Sequence, residues 1–278
     1  MLPRTCSSEN WSSGIGKPSQ VDFLEAGSGE TVILIHSSVA GARQWRSLMD
    51  LLAPNYHLIA INLFGYGTTP PWNSKGQQTL EDQARLVAPF AAADGSKFSI
   101  VGHSFDGAVA MKAAAMFRNQ VHRLVLVEPN PFYLLRLLGC VEAFREATAL
   151  RDVIKDCGAR DDWRTAAEVF ANYWAGAGSW NAMPDDRREK FTAALVPNFH
   201  EWDCVMHEET PISTWAKDLP DATTVISADD TVGAIAETVR LFREHMPHWR
   251  FENVSQGGHM AAITKPDLIN PVIQSALL

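Results

Sequence analysis

The sequence has little of what marks several large classes of protein. Its four cysteines are scattered and form no C-x-x-C pair, so we expect reduced thiols and no disulfide framework. No window approaches 18 consecutive apolar residues, and the N-terminus shows no apolar signal-peptide run. These absences favour a cytoplasmic protein that neither crosses nor binds a membrane.

Positive charge is also scarce. Lys and Arg number 24 against 32 Asp and Glu, a formal net charge of −8, and no Lys/Arg block interrupts the chain. Nucleic acid and anionic membrane surfaces are therefore not expected as partners. The glycines form neither a P-loop nor a dinucleotide fingerprint, and the sequence contains no metal-ligand cluster. We expect no cofactor, no metal and a small-molecule substrate, while the oligomeric state stays open.

Short apolar runs alternate with segments of helical spacing along most of the 278 residues. The predicted strands are 31–36, 57–61, 97–102, 122–127, 223–227 and 249–254, and the predicted helices are 43–53, 80–93, 107–118, 233–246 and one after Pro266. Residues 1–20, rich in Ser, Gly, Pro and Asn, are expected to form a loose arm. This alternation predicts an α/β fold with a mostly parallel, doubly wound sheet covered by helices on both faces.

The alternation stops over residues 130–218, a stretch that is rich in helix formers and holds five of the nine tryptophans. We predict that 130–218 is a helical cap inserted into a core made of residues 1–129 and 219–278. The aromatic residues expected to wall an apolar pocket there are Trp163, Tyr173, Trp174, Trp180 and Trp202. Trp174 and Trp180 are the candidate substrate contacts, although a single cap aromatic is more often core.

The segment 101–110 reads VGHSFDGAVA and places Ser104 between a buried strand and a helix. A serine on such a tight turn points its hydroxyl away from the sheet, and the following helix aims its first N–H groups at the reacting oxygen. Ser104 is therefore a candidate nucleophile. Asp106 stands where G-x-S-x-G has its second glycine, and we expect it either to cap the helix or to crowd the turn.

Two further segments carry candidate partners for this serine. His259 lies in SQGGHMAAITKP, after the last predicted strand and a glycine-rich turn, which suits an exposed general base at the same sheet edge. The loop after the strand at 31–36 reads HSSVAG. The backbone N–H groups of Ser38 and Phe105 are the candidate oxyanion hole.

The order of these motifs resembles the α/β-hydrolase superfamily over nearly the whole chain: HSSVAG, NLFGYG at 62–67, GHSFDG, a cap, an acid and GGH. Ser37, Asn62 and Asp106 depart from the commoner letters of the family. Relatives that cleave carbon–halogen bonds or epoxides carry Asp at the nucleophile position. The resemblance and Ser104 together imply acyl chemistry.

The third member of a triad has two candidates. Most of the superfamily places the acid in the loop after the next-to-last strand, where this chain has SADDTVG. The usual spacing falls on Thr231, so Asp230 fits only with a shift of one residue, and both are good helix caps. Glu128 follows a buried strand directly, and a carboxylate there is costly unless it is paired. Some members carry the acid on that strand, and we favour Glu128 over Asp230.

The sequence thus predicts a serine hydrolase acting on a carboxylic ester or a similar acyl substrate through Ser104, His259 and Glu128. One alternative is a C–C bond hydrolase of a diketone-type substrate, which would be favoured by an arginine in the pocket such as Arg43 or Arg136. A third reading, kept open by Asp106, is a ligand-binding receptor that retains the fold without turnover.

Overall fold

A single eight-stranded sheet forms the centre of the protein. The structure is a computed structural model and describes residues 4–6, 21–73, 75–91 and 95–278. The strands are β1 (Arg4–Cys6), β2 (Val21–Gly27), β3 (Glu30–Ile35), β4 (Tyr56–Ile61), β5 (Phe98–His103), β6 (Val121–Val127), β7 (Thr223–Ala228) and β8 (Arg250–Val254). Their spatial order is β1-β2-β4-β3-β5-β6-β7-β8. Strands β3 to β8 run parallel, and β2 pairs antiparallel with β1 and β4.

Helices connect the parallel strands. In chain order they are α1 (Arg46–Leu52), α2 (Leu80–Ala84), α3 (Phe105–Met116), α4 (Tyr133–Leu137), α5 (Val141–Ala159), α6 (Trp163–Ala175), α7 (Ser179–Ala182), α8 (Asp185–Leu195), α9 (Asn198–Met206), α10 (Ile212–Asp218), α11 (Gly233–His245), α12 (Ala261–Thr264) and α13 (Pro266–Ala276). The predicted α/β class with a mostly parallel sheet is confirmed.

Both faces of the sheet are buried, as fully apolar parallel strands require. In β3, Ile33 and Ile35 point into one apolar core with α3 and the helices that follow β6. Val32 and Leu34 point into a second core with α1 and α13 on the other face. The two-residue period of the strand thus divides one continuous apolar run between two cores.

The structure differs from the sequence-based expectation near the N-terminus. Strands β1 and β2 were not predicted, and Arg4–Cys6 belongs to the segment expected to be a loose arm, so that expectation is wrong for these three residues. The rest of the expected arm, apart from the described residues 4–6, lies outside the described part of the chain. The predicted helix 80–93 is α2 followed by a 3-10 turn, Arg85–Phe90, which contains Pro89. A proline inside a helix removes a hydrogen bond and breaks the α-helical pattern.

All helices from α4 to α10 lie between β6 and β7, inside the segment predicted to be the cap. α6 contacts the turn after β8, and α9 contacts α3. The boundaries at 129/130 and 218/219 stay a prediction. In the described ranges, no helix has both the length and the apolar character needed to cross a membrane.

The sheet brings four segments of the chain to one edge. Strands β5, β6, β7 and β8 are consecutive neighbours and parallel, so the segments that follow them meet at their carboxyl ends. Ser104 follows β5, Glu128 follows β6, Asp230 follows β7, and His259 follows β8. This is the edge at which open parallel sheets bind ligands.

The junction of β5 and α3 leaves no room for a side chain at residue 102. A Cβ added to Gly102 would lie 2.4 Å from the Asp106 carbonyl oxygen and 2.6 Å from the Ala110 Cβ. We expect Gly102→Ala to lower the free energy of unfolding by about 1–3 kcal/mol, because backbone and core must shift. Urea denaturation measures the loss.

The matched control is Gly233→Ala. The atom nearest to its added Cβ is the Glu146 carboxylate oxygen, at 2.6 Å, at the end of a flexible side chain that can move away. A change within about 0.5 kcal/mol is expected there. Equal losses for the two variants would contradict the tight packing of the β5–α3 junction.

Candidate active site

Ser104 forms the whole turn between β5 and α3. The helix begins at Phe105, two residues earlier than predicted, so Ser104 alone reverses the chain, with φ 61° and ψ −127°. Its N–H donates to the Val127 carbonyl at 2.9 Å, and its own carbonyl accepts from Gly107 N–H at 2.9 Å. A non-glycine residue with positive φ is strained, and strain of this kind collects at functional sites.

His259 lies within hydrogen-bonding distance of Ser104. The His259 Nε2 lies 2.7 Å from the Ser104 Oγ, and Nδ1 lies 3.3 Å from the Glu128 Oε2. An ionised carboxylate only accepts hydrogen bonds, so Nδ1 carries the ring proton and Nε2 is left to accept the serine proton. The three side chains therefore form a hydrogen-bonded chain with the tautomer that a general base needs.

Glu128 is buried and held by further hydrogen bonds. Its Oε1 accepts from Ala228 N–H at 2.6 Å, and its Oε2 accepts from the Thr231 hydroxyl. The backbone of Glu128 also has a positive φ, 49°. Thr231, at the position where the superfamily usually has its acid, thus supports the carboxylate that comes from the neighbouring strand.

Asp230 has a different place. Its carboxylate accepts from the backbone N–H groups of Gly257 at 3.1 Å and Gly258 at 2.7 Å, within the turn that carries His259. The bond from Gly258 is the main reason why the pKa of Asp230 is lowered. The structure shows Asp230 shaping the turn, and among the described contacts of the His259 ring the carboxylate partner is Glu128.

Two other side chains fix the position of His259. The His103 Nε2 lies 2.9 Å from the carbonyl of His259, and the Gln44 amide donates to the His103 Nδ1 at 3.0 Å. Burial lowers the pKa of His103 to about 3, so this ring stays neutral. On the opposite side, the Trp174 ring from α6 stacks on the His259 ring with centroids 3.9 Å apart.

The candidate oxyanion donors flank the serine. Phe105 is the first residue of α3, and the first N–H groups of a helix have no intrahelical acceptor. Ser38 lies in the loop after β3 and is buried. The next residue, Val39, has φ 72°, which is unusual for a β-branched residue. Val39, Ser104 and Glu128 are three of the four non-glycine residues with positive φ in the described chain.

A buried glutamate from the cap segment contacts this loop. Glu201, on α9, accepts hydrogen bonds from the Ser38 hydroxyl at 2.5 Å, the Tyr66 hydroxyl at 2.7 Å and the Asn198 amide at 2.7 Å. Burial raises the pKa of Glu201, although these three bonds oppose the rise. Since Tyr66 also accepts from Val39 N–H at 3.1 Å, the cluster ties α9 to the loop that holds one candidate oxyanion donor.

Asp106 is fully buried behind the serine turn. Its Oδ2 lies 3.2 Å from the His36 Nδ1, but neither carboxyl oxygen has a well-formed hydrogen bond within the described part of the chain. The His36 Nε2 accepts from Leu63 N–H at 3.2 Å, so the ring proton is on Nδ1. Burial lowers the pKa of His36 to about 4. Burial, helped by Glu201, raises the pKa of Asp106 well above its usual value.

Both pKa shifts of this pair favour the neutral forms, an imidazole beside a protonated carboxyl. The prediction that Asp106 caps α3 is wrong, because its carboxyl oxygens bond to no N–H group of the helix. The alternative expectation, that Asp106 crowds the turn, is not tested by these contacts. A neutral side chain at this place adds no charge to the site.

A small cavity lies directly against Ser104. Its volume is about 10 Å³, close to the smallest that holds one water molecule. The side chains around it include Trp174 and Trp202 from the cap segment and Glu201. None of the described residues that line it is an arginine or a lysine. Among the described residues that line this cavity, Glu201 is the one with an acidic or basic side chain.

The structure brings most of the predicted site residues together. Ser104, His259, Glu128, Ser38, Phe105 and Trp174 surround one point at the sheet edge. Trp180 is not among the described residues that line this cavity, and it packs inside the cap segment against Phe191. The predicted roles themselves stay predictions.

Glu201 was missed by the sequence analysis. One signal was present, since Asn198, Glu201, Trp202 and Val205 have the spacing of a single helix face, and all four line the cavity. Nothing in the local sequence says that this face meets the loop of Ser38. Within the described ranges, no group of three or more His, Cys, Asp or Glu side chains is arranged to hold a metal ion.

Comparison with known proteins gives a family match. The model of a family described as the alpha/beta hydrolase family matches residues 32–272. A 2-hydroxy-6-oxo-6-(2'-aminophenyl)hexa-2,4-dienoic acid hydrolase of Metapseudomonas resinovorans is 37% identical over 111 residues, which are 38% of this chain and only 37% of that relative. A putative 2-succinyl-6-hydroxy-2,4-cyclohexadiene-1-carboxylate synthase of Bacillus subtilis is 24% identical over 89% of this chain and 90% of the relative.

Solved structures give the same fold. A thermophilic esterase from Thermogutta terrifontis superposes with a TM-score of 0.73 at 18% sequence identity. The superposition covers 100% of this chain and 98% of the esterase. At this level of identity the likeness concerns the fold alone.

The raised pKa of Asp106 has a measurable consequence for stability. Above its usual pKa of 3.8 the unfolded chain loses the proton that the folded chain keeps, so rising pH lowers the stability of the native protein. Asp106→Asn removes this dependence. Between pH 5 and 8, we expect the stability of the variant relative to the native protein to rise by about 1.4 kcal/mol per pH unit until the pH passes the raised pKa.

Denaturant unfolding at several pH values measures this slope. Asp230→Asn is the control: the pKa of Asp230 is lowered, so its carboxyl is ionised in both states above pH 5 and no slope is expected. A relative stability of Asp106→Asn that is flat or falls with pH would mean that Asp106 is ionised against a charged His36.

Proposed function

The chain belongs to the alpha/beta hydrolase family, and on this premise we propose that it is a serine hydrolase that cleaves a carboxylic ester or a similar acyl substrate. The observation that carries the proposal is the hydrogen-bonded chain Ser104–His259–Glu128, with a serine–imidazole distance of 2.7 Å at a strained strand-to-helix turn. Acyl transfer by a serine requires a base beside the hydroxyl and a carboxylate beside the base, and His259 and Glu128 lie at these places.

In the proposed reaction, the Nε2 of His259 takes the proton of the Ser104 hydroxyl as Oγ attacks the acyl carbon. The oxyanion that forms is held by the N–H groups of Ser38 and Phe105. Glu128 keeps Nδ1–H oriented and stabilises the imidazolium. His259 then returns the proton to the leaving group as the bond to the acyl carbon breaks, and water resolves the acyl-enzyme with His259 as base.

A C–C bond hydrolase is the second candidate. It is favoured by the partial match to the hydrolase of Metapseudomonas resinovorans, whose name specifies a dienoic acid substrate. We place it second because the cavity at Ser104 offers Glu201 and, among its described lining residues, no cation for a substrate carboxylate. Of the two arginines that would favour this candidate, Arg43 lines a larger neighbouring cavity and not the one at Ser104, and Arg136 is exposed on α4 and lines neither.

One prediction of this proposal concerns the reactivity of Ser104. We expect a fluorophosphonate probe to add once to the native protein, because His259 activates the serine hydroxyl, and intact-mass spectrometry detects the adduct. Ser104→Ala should fold and remain unlabelled. A folded native protein without any adduct would contradict the proposal and would favour the ligand-receptor reading.

Another prediction of this proposal separates the two candidate acids. Glu128→Gln is expected to lower kcat for a 4-nitrophenyl ester by about 10²–10⁴-fold, since an amide there no longer favours the tautomer that accepts the serine proton. Asp230→Asn should keep kcat within a few-fold, because in the described part of the chain the Asp230 carboxylate bonds to the turn and not to the His259 ring. Circular dichroism verifies folding, and the reverse ranking of the two variants would overturn the choice of Glu128.

A further inference from the structure

A second, larger cavity opens beside the one at Ser104, and we call it the vestibule. Its volume is about 440 Å³. Three basic side chains, Arg43, Arg187 and Lys190, line it together with apolar groups such as Phe191 and Met260. A drug-sized molecule fits a volume of this order. The small cavity, by contrast, holds about one water molecule.

The vestibule borders the catalytic cavity directly. Ser38 and Phe170 line both cavities, so one wall is shared between them. Ser38 supplies one of the proposed oxyanion donors. A molecule lying in the vestibule would therefore reach the reacting centre past the loop of Ser38.

The vestibule also lies on the side of the general acid. Met260 follows His259 directly, and Ile263 lies one helical turn further along. In the proposed reaction His259 gives its proton to the leaving group, so the leaving group must lie beside this residue. The vestibule thus faces the leaving-group portion of a substrate, and the small cavity with Glu201 and Trp202 faces the acyl portion.

The vestibule has basic side chains in its lining, whereas the described lining of the catalytic cavity has none. Lys190 pairs with Asp186 at 3.2 Å, but both side chains are largely exposed and such a pair is weak. Arg43 and Arg187 form no ion pair with any described residue. In a chain with 32 acidic and 24 basic residues, two such arginines beside a lysine leave positive charge available for a ligand.

We propose that the vestibule binds an anionic group, a carboxylate or a phosphate, carried by the alcohol or thiol portion of the substrate, while the acyl portion is uncharged. This inference rests on the proposed serine hydrolase function. The anionic group takes no part in bond breaking: Ser104 Oγ attacks the acyl carbon, the acyl–oxygen or acyl–sulfur bond breaks, and the leaving group departs with the proton from His259. Its role is to anchor the leaving group through Arg43 and Arg187.

The test compares acetate esters that differ only in the leaving group. One is the ester of 4-nitrophenol and the second that of 3-carboxy-4-nitrophenol; the third is an acetate ester whose alcohol carries a phosphate monoester. A fourth compound, 4-nitrophenyl hemisuccinate, puts the carboxylate on the acyl side. We expect kcat/KM of the native enzyme to be higher for at least one ester with an anionic leaving group than for 4-nitrophenyl acetate, mainly through a lower KM. For the hemisuccinate we expect kcat/KM to be lower than for 4-nitrophenyl acetate. Added salt should weaken the preference.

Variants assign the preference to the vestibule. In Arg43→Gln/Arg187→Gln, the ratio of kcat/KM between the anionic and the neutral ester should fall by about 3- to 20-fold, as expected for ion pairs with two exposed arginines. Using the ratio within each variant cancels the different reactivities of the phenols. Arg46→Gln is the matched control, because Arg46 is an exposed arginine three residues from Arg43 that does not line the vestibule.

The outcomes separate the two proposals. Ester hydrolysis without any preference for an anionic leaving group, or a ratio unchanged in Arg43→Gln/Arg187→Gln, overturns the inference and leaves the serine hydrolase intact. A ratio that falls equally in Arg46→Gln overturns it as well, since the effect would then come from net charge. No hydrolysis together with no fluorophosphonate adduct means that the proposed function itself has failed.

Discussion

The hydrogen bond between the Ser104 hydroxyl and the His259 imidazole joins two segments that are 155 residues apart in the chain. Most other contacts of the site hold these two residues in position. Ser104 is held in place because it is the single residue between β5 and α3. His259 is held from behind by His103 and Glu128, and its ring is covered by Trp174. The bond depends on the parallel order of β5 to β8, because this order places the carboxyl ends of these strands side by side.

Several buried groups around that bond have pKa shifts that favour their uncharged forms. Burial lowers the pKa of the His36 and His103 rings and raises the pKa of the Asp106 carboxyl. A negative charge beside a developing oxyanion would repel it. In the proposed reaction, an uncharged Asp106 leaves the stabilisation of the oxyanion to the backbone N–H groups of Ser38 and Phe105.

The sequence located the parts of the candidate site that are encoded locally. Short patterns at strand ends indicate Ser104 and His259, and the strand–helix alternation predicts the sheet. Glu128 stood out because a carboxylate directly after an apolar strand needs a partner. Strand β2 lacks the long apolar run of the parallel strands, because its sequence, VDFLEAG, mixes polar and apolar residues. Its pairing with β4 joins segments that are distant in the chain, and no local pattern encodes such a contact. Glu201 and the vestibule depend on how a distant helix packs on a loop, which no local pattern records.

The stacking of Trp174 on His259 makes one helix of the cap segment part of the candidate site. α6 carries both Trp174 and Phe170, and both line the cavity of about 10 Å³ at Ser104. The same helix forms a wall of the vestibule through Phe170. Substitutions in α6 can therefore alter both spaces at once, while Ser104, His259 and Glu128, which follow the strand ends, stay unchanged.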